Sequence, residues 1–319
     1  MVTYLLRRVL QSIVVLLLVT VITFGLLRMI PGNAAVAVMG PNVYRDPEAI
    51  KVFNADYGFN LPWYRQYLLW LGNLVRGNLG YSWTLNQSVA SLLATRLSRT
   101  LPLVGPSILL ALAVAIPMGM VQAVRRNKPI DHVLNAMSVT FYATPDFLIA
   151  IVTILLVAVK FPIFPVLGPQ AEGWALLTNL YALILPIICL SLTMMALFSR
   201  YMRSSVLDNL TEDYVRTARA KGAGERRVLM RHVLRNSLIT IATLVGLSLP
   251  SIFGGALVIE AVFSYQGMGY LFYQSAAAQD YPVLLGFTVV IAVITVAGSL
   301  LADIAYAVLD PRVKYVESV

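Results

Sequence analysis

Apolar residues in this chain come in long blocks, not in alternation. Six blocks run approximately from Val9 to Leu27, Leu101 to Val124, Val133 to Val159, Leu180 to Phe198, Leu238 to Val262 and Val283 to Leu309. A helix rising about 1.5 Å per residue needs about 20 mostly apolar residues to cross roughly 30 Å of hydrocarbon. The blocks meet that length, and they are too long and too rich in Leu, Ala, Gly and Ile for barrel strands. The pattern predicts an all-α integral membrane protein with six transmembrane helices.

Composition points the same way. The chain is 59% hydrophobic and 12% charged, with a mean hydropathy of +0.77, whereas a soluble domain carries about 45–50% apolar and about 25% charged residues. So little polar surface excludes a disordered chain and argues against a soluble domain. The first block has a competing reading as a secretory signal, with Arg7 and Arg8 as its basic region and Ala35-Val36-Ala37 as a loose cleavage site. Its apolar run is too long for that, and the small residues lie too far beyond it, so an uncleaved span is expected.

Charge then sets orientation. The net charge is +9; on a soluble protein this would suggest nucleic acid, but no nucleic-acid partner is expected of a chain built from spans. Arg7 and Arg8 precede the first span, and Arg125, Arg126 and Lys128 join the second and third. Arg200, Arg203, Arg216, Arg219, Lys221, Arg226, Arg227, Arg231 and Arg235 lie between the fourth and fifth, and Arg312 and Lys314 follow the sixth. Phe161–Asn179 and Phe263–Pro282 contain no Lys or Arg. The positive-inside rule therefore predicts both termini in the cytoplasm, and the even number of spans agrees. The long segment from about Ile30 to Thr100 is then external. Pro31-Gly32-Asn33 is expected to stop the first helix. Trp63 to Leu71 has apolar residues at helical spacing, with Trp63, Tyr64, Tyr67 and Trp70 among them and Trp83 beyond. This reads as a short amphipathic helix near the outer interface, serving as an aromatic anchor or as a docking surface for an external partner.

The inner stretch from Ser199 to Ser237 is long and punctuated. Tyr214 to Lys221 reads as one helical piece and Glu225 to Arg235 as a second, separated by Gly222-Ala223-Gly224. Glycine tolerates the left-handed turn that ends a helix, so the expectation is helix, sharp turn, helix. Ala218 and Ala220 would let another protein approach the backbone closely. Attraction of the basic residues to anionic lipid headgroups is the alternative, though it needs no such approach.

Few groups suggest chemistry. Cys189 stands alone, which excludes a disulfide framework or cysteine metal site, and His132 and His232 leave little for a metal or redox centre. Asp146, Lys160, Glu260 and Asp303 lie in or near the spans; Asp146 and Glu260 are placed near span ends, where an interfacial role competes with a proton relay. Pro117, Pro145, Pro186 and Pro250, with Gly246, Gly254 and Gly255, suit either kinks around a cavity or close packing through small residues. No G-x-x-x-x-G-K-[ST] phosphate loop is present, so any ATP-driven transport draws its energy from another chain.

Ordered landmarks then become recognisable. Leu27-Arg28-Met29-Ile30-Pro31-Gly32-Asn33 closes the first helix, and Tyr57-Gly58-Phe59-Asn60-Leu61-Pro62 and Arg76-Gly77-Asn78-Leu79-Gly80-Tyr81-Ser82 follow. Ala143-Thr144-Pro145-Asp146-Phe147 marks the third span, and Asp213-Tyr214-Val215-Arg216-Thr217-Ala218-Arg219-Ala220-Lys221-Gly222 the inner loop. Val258-Ile259-Glu260-Ala261-Val262-Phe263-Ser264, Gly267-Met268-Gly269, Asp280-Tyr281-Pro282 and Asp310-Pro311-Arg312-Val313 complete the series. Together these resemble the B-type permease subunits of the dipeptide/oligopeptide/nickel branch of bacterial ABC importers, nearly end to end. The inner loop is similar to the family's EAA loop, with Arg216 where the general pattern has Glu. Ala223 stands where Leu is often found and Gln266 where Pro is often found.

The resemblance implies a type I importer permease fold. Residues 1–93 would form the first helix and external segment, 94–309 the permease domain with its coupling loop (199–237), and 310–319 a cytoplasmic tail. It implies a pore shared with a second, C-type permease in the bacterial plasma membrane. Two ABC ATPases would sit beneath it, and an external solute-binding protein or lipoprotein would deliver dipeptides or short oligopeptides, with haem-like or nickel-chelate cargo also within range. Asp213, Tyr214, Arg216, Thr217, Ala218, Arg219, Ala220, Lys221 and Gly222 would carry ATPase coupling. Pro145, Phe147, Pro250, Gly254, Gly255, Glu260 and Phe263 are the cavity or gate candidates. The chain itself would be no enzyme and hold no cofactor, ATP and Mg being bound by partners. A self-sufficient ion-coupled transporter or channel is the contrasting class, disfavoured by sparse intramembrane charge and the lack of a clear inverted repeat. A non-transporting anchor for cytosolic enzymes is a third.

Overall fold

Apolar helices account for most of the chain. The computed structural model describes residues 2–29, 34–40, 43, 46–170 and 179–309. The predicted helix stop at Pro31-Gly32-Asn33, the Asp310-Pro311-Arg312-Val313 landmark, Lys314 and the tail 310–319 lie outside them. In chain order the helices are α1 (Val2–Met29), α2 (Ala34–Met39), α3 (Pro47–Asp56), α4 (Trp63–Val75), α5 (Val89–Val124), α6 (Pro129–Ala143) and α7 (Asp146–Thr153). There follow α8 (Tyr181–Thr211), α9 (Asp213–Ala220), α10 (Glu225–Arg227), α11 (Leu234–Val262), α12 (Met268–Ala277) and α13 (Tyr281–Leu309). Wider π-helical turns continue α7 through Ile154–Lys160 and join α10 to α11 through Val228–Val233.

Five helical stretches are long and apolar enough to cross a membrane: Leu10–Met29, Val89–Val124, Tyr181–Thr211, Glu225–Val262 and Tyr281–Asp303. Three outrun their predicted blocks. Val89–Val124 begins twelve residues before Leu101, Tyr181–Thr211 runs on past Phe198, and Glu225–Val262 begins well before Leu238. Polar residues of good helix propensity, such as Arg96, Arg203 and Arg231, carry these helices past the apolar blocks. The third block is not one straight helix. Pro129–Ala143 and Asp146–Lys160 meet at 104°. A proline disfavours the helical conformation in the residue before it. Thr144 accordingly takes φ −84°, ψ 126° and Pro145 φ −58°, ψ 140°, both extended.

The fold divides into two units, residues 1–100 with 266–293 and residues 101–265 with 294–319. In the first, α4 lies where the aromatic spacing predicts it. Tyr67, Trp70 and Leu71 pack with Phe24 of α1 and Leu285 of α13, while Trp63, Tyr64, Leu68 and Leu69 of the same helix stay exposed. Phe53, Phe59, Trp83 and Tyr281 form an aromatic cluster with ring centroids 5.6–6.1 Å apart. The Arg28 guanidinium lies 4.4 Å from the Phe59 centroid and donates to Gln66 Oε1.

Asp280 organises this unit. Its carboxylate is fully buried and accepts four hydrogen bonds: from Ser82 Oγ at 2.5 Å, Thr84 Oγ1 at 2.7 Å, Thr84 N at 3.2 Å and Trp83 N at 3.3 Å. A buried charge is stable only when paired or fully hydrogen-bonded, and the Ser82–Thr84 turn supplies the bonds. Two landmarks far apart in sequence are thus one piece of structure.

The core of the second unit is built on α8. Leu183, Leu185, Cys189, Leu190, Met194, Met195 and Phe198 are buried with Leu103, Ala111 and Ala115 of α5, Ile149 and Ala150 of α7, and Ile252, Ala256 and Ile259 of α11. Small residues allow the closest crossings. A Cβ on Gly119 would lie 2.6 Å from Met202 Cβ and 2.8 Å from the Ser199 carbonyl. A Cβ on Gly246 would lie 2.6 Å from the Gly298 carbonyl, and one on Gly298 would lie 2.5 Å from the Gly246 carbonyl. Pro250 has no N–H to offer the carbonyl four residues before it, and that carbonyl belongs to Gly246. The freed oxygen is the one facing Gly298, an arrangement suited to Cα–H···O contact between helices.

Candidate functional site

The tip between α9 and α10 follows from its residues. Asp213 begins α9 as an acidic residue in the first turn, and Arg219 lies in the last, both favourable to the helix dipole. Lys221 ends the helix, and Gly222 takes φ +82°. Gly222 N donates to Arg219 O at 2.9 Å and Ala223 N to Ala218 O at 3.1 Å. This pair of bonds, with the left-handed residue between, is a Schellman motif. Ala218 and Ala223, the two residues whose apolar contact usually accompanies the motif, both pack against the cluster beneath. Gly224 then enters α10 in extended conformation.

The predicted helix–turn–helix is therefore present, with the first helix at Asp213–Ala220 and the second continuous with the Glu225–Val262 stretch. Across the turn, Arg219 Nε and Nη2 donate to Glu225 Oε1 and Oε2 at 2.8 and 3.3 Å. Arg216 reaches Asp213 at 3.5 Å. Asp213, Arg216, Thr217 and Ala220 recur at helical spacing and are exposed, as are Lys221 and Gly222. Nothing lies within 4 Å of a Cβ built on Gly222. The small, charged face of the tip is open.

Its inner face is fixed. Val215, Val228 and Val233 are completely buried, with Met202 and Val206 of α8, Ala123 of α5 and Ile241 of α11. Tyr214, half-buried, donates its hydroxyl to Asn209 Oδ1 at 2.5 Å. Asn209 Nδ2 donates in turn to Ser205 O at 2.8 Å and to Ser237 Oγ at 3.3 Å. A hydrogen-bonded chain thus ties α9 to both long helices that carry it. The sequence marked Tyr214 but not Asn209, Ser205 or Ser237; the four-residue spacing of Ser205 and Asn209 on one helix face was the available signal.

The cavity candidates do not form one cluster. Pro145 caps the bend before α7, and Phe147 is 51% exposed. Pro250 lies within α11, half-buried. Nothing lies within 4 Å of a Cβ built on Gly254 apart from its own helix backbone, whereas a Cβ on Gly255 would meet Asp146 Oδ2 at 3.2 Å and Leu190 Cδ1 at 3.4 Å. Glu260 and Phe263 are fully buried at the end of α11. Their carbonyls accept Tyr265 N at 2.8 Å and Gly168 N at 2.9 Å, so this end of α11 organises the 161–170 segment. The structure brings together Pro145, Asp146 and Gly255, and it adds Thr193, whose Oγ1 donates to Asp146 Oδ1 at 2.7 Å.

One further polar contact had no sequence signal. Asp131, almost fully buried, accepts Arg203 Nε and Nη2 at 2.9 Å each and Asn127 N at 3.0 Å. This bidentate pair joins α6 to α8, helped by Ser138 and Ser199 hydroxyls 3.1 Å apart. Among the described residues no group of three or more His, Cys, Asp or Glu side chains is placed to hold a metal ion.

Comparison with known proteins places this geometry. A family model described as the binding-protein-dependent transport system inner membrane component matches residues 115–315, and the corresponding N-terminal model matches residues 1–104. The oligopeptide transport system permease protein AppB of Bacillus subtilis is 40% identical over 318 residues, covering 99% of this chain and 100% of that protein. The dipeptide transport system permease protein DppB of Lactococcus lactis is 33% identical over 315 residues, covering 98% and 100%. Among solved structures, the inward-facing MetNI methionine ABC transporter has a similar fold, with a TM-score of 0.54 and 18% identity. That match covers 68% of this chain and 97% of the other. The resemblance read from the landmarks is borne out, and this chain belongs to the family of binding-protein-dependent transport system inner membrane components.

Proposed function

We propose that this chain forms half of the pore of an ATP-driven importer of dipeptides or short oligopeptides. A related C-type permease completes the pore, and two ABC ATPases bind on the cytoplasmic side. An external solute-binding protein delivers cargo from outside. Both termini are cytoplasmic, and the chain binds neither ATP nor Mg itself. Peptide cargo is supported by the similarity to oligopeptide and dipeptide permease proteins along the full length of the chain.

The observation that carries the coupling role is the construction of the α9–α10 tip. Its outer face is small, charged and exposed; its inner face is locked into α8 and α11 by buried valines and the Tyr214–Asn209–Ser237 chain. A flexible loop would absorb a push from a moving ATPase, but a capped, buried tip transmits it to the spans. Alternating access then requires two packed arrangements of the same helices.

The test is ATP-dependent peptide uptake by the reconstituted complex. With Gly222→Val, uptake and its link to ATP hydrolysis are expected to fall together, while the chain still inserts and folds. Unchanged coupling would overturn the role of the tip. Uptake by this chain alone in ATP-free proteoliposomes would instead establish a self-sufficient transporter.

A further inference from the structure

One face of α8 carries Arg200 and, through Thr193, holds Asp146 of α7, and among the described residues neither charge has a counter-ion. Thr193 and Arg200 are seven residues apart, which places them on the same helix face, two turns and about 10.5 Å apart along the axis. Asp146 is held at the first of these positions by Thr193, 2.7 Å away. Its other oxygen lies beside Gly255, where a Cβ would come within 3.2 Å of it. At the second position the exposed Arg200 guanidinium lies 5.2 Å from the Tyr142 ring centroid, in a groove also lined by Asn135, Leu197 and Tyr201. Tyr142 and Asp146 flank the 104° bend, so one break in the third apolar segment supplies a partner to each position.

The contrast with the neighbouring arginine is informative. Arg203 is neutralised by Asp131 through two bonds of 2.9 Å. Among the described residues, by comparison, Thr193 is the only hydrogen-bond partner of the Asp146 carboxylate, and neither Asp146 nor Arg200 takes part in an ion pair. A charge within an apolar segment is costly and is retained where it faces a pathway or a partner; Asp146 lies within the third block, and Arg200 two residues past the end of the fourth. Here a carboxylate and a guanidinium are set along one face of α8, and the described residues supply a second partner to neither.

We infer that Asp146 and Arg200 are the two ends of a track for a zwitterion, with a cargo ammonium received at Asp146 and a cargo carboxylate at Arg200. An extended chain spans at most about 3.3–3.6 Å per residue, so the rise of about 10.5 Å between the Thr193 and Arg200 positions on α8 matches a peptide of about three residues. The inference rests on the peptide-importer reading and adds the groups by which the pore reads the main-chain ends. A helix-dipole role for Asp146 at the start of α7 and snorkelling by Arg200 would give neither group a preference for one end of the cargo.

The experiment uses the complete complex, with binding protein and ATP, and trialanine analogues carrying photo-leucine at position 1 or position 3, both termini free. Irradiation during turnover is expected to label the wild-type chain around Asp146, Thr193 and Gly255 with the first analogue. The second should label it around Tyr142 and Leu197–Tyr201. Asp146→Asn should cut the first labelling about tenfold, and Arg200→Gln the second, as expected for loss of one partner of a charge pair. Co-purification of the ATPases checks assembly, and if a variant fails to assemble the wild-type labelling pattern decides. Identical labelling by both analogues, or labelling elsewhere while peptide is taken up, overturns the track and leaves the importer reading intact. Absence of ATP-dependent uptake of any peptide overturns that reading and the track with it.

Discussion

Gly222 and Asp280 illustrate opposite kinds of dependence on a single residue. At Gly222 the space is open and only the backbone conformation is demanding, with φ at +82°. A side chain there costs roughly 1–2 kcal/mol of backbone strain, so Gly222→Ala should weaken coupling partially and the β-branched Gly222→Val more, with uptake as the measure. At Asp280 the conformation is ordinary and the partners matter. Asp280→Ala strands the buried hydroxyl of Ser82, an unsatisfied group costing about 1–3 kcal/mol. The expected result is a clear drop in the apparent melting temperature of the purified protein. The turn at Gly222 was legible because glycine after a helical run has a local meaning. The Asp280 clamp was not, because its partners are 196 to 198 positions away and nothing local distinguishes a carboxylate that will be buried. The same holds for Asp131 with Arg203, 72 positions apart.

Among the elements, the apolar blocks located the spans well at one end and poorly at the other. α5 and α11 end where their blocks end, at Val124 and Val262, but α5 starts twelve residues before its block and the helical stretch that contains α11 starts thirteen residues before, at Glu225. Hydropathy reports where lipid can be, whereas a helix continues for as long as its backbone bonds are satisfied and its residues permit. Pro145 did signal a break, but the 104° between α6 and α7 is set by what each half packs against, which a one-dimensional pattern does not contain. Gly246 and Pro250, for which a kink and close packing were both open, serve close packing at Gly298, while Gly254 keeps open space beside it. Gly246→Leu should therefore force α11 and α13 apart at their crossing, since no rotamer removes a Cβ placed 2.6 Å from a carbonyl oxygen. Overpacking of this kind costs about 1–3 kcal/mol, and a reduced yield of folded protein with a lowered melting temperature would register it.

For the whole molecule, the net charge of +9 matters less than its placement between the fourth and fifth spans. The sole cysteine, Cys189, is buried, so the natural chain is already a background for single-cysteine labelling. Lys221→Cys should react with a membrane-impermeant maleimide only when the cytoplasmic side is accessible, and Trp63→Cys, on the exposed face of α4, only from outside. The opposite pattern would reverse the proposed topology and remove the tip from any ATPase. The meeting of Gly246 and Gly298 carries a mechanical consequence. The tip-side arm, from Glu225 to Gly246, is about 30 Å long, and the far arm, from Gly246 to Val262, is about 24 Å. Backbones that touch without intervening side chains leave little room to slide, so the crossing acts as a fulcrum. A stroke delivered beneath α10 would emerge beyond it reversed in direction and slightly diminished, turning a thrust at one surface into a swing at the other.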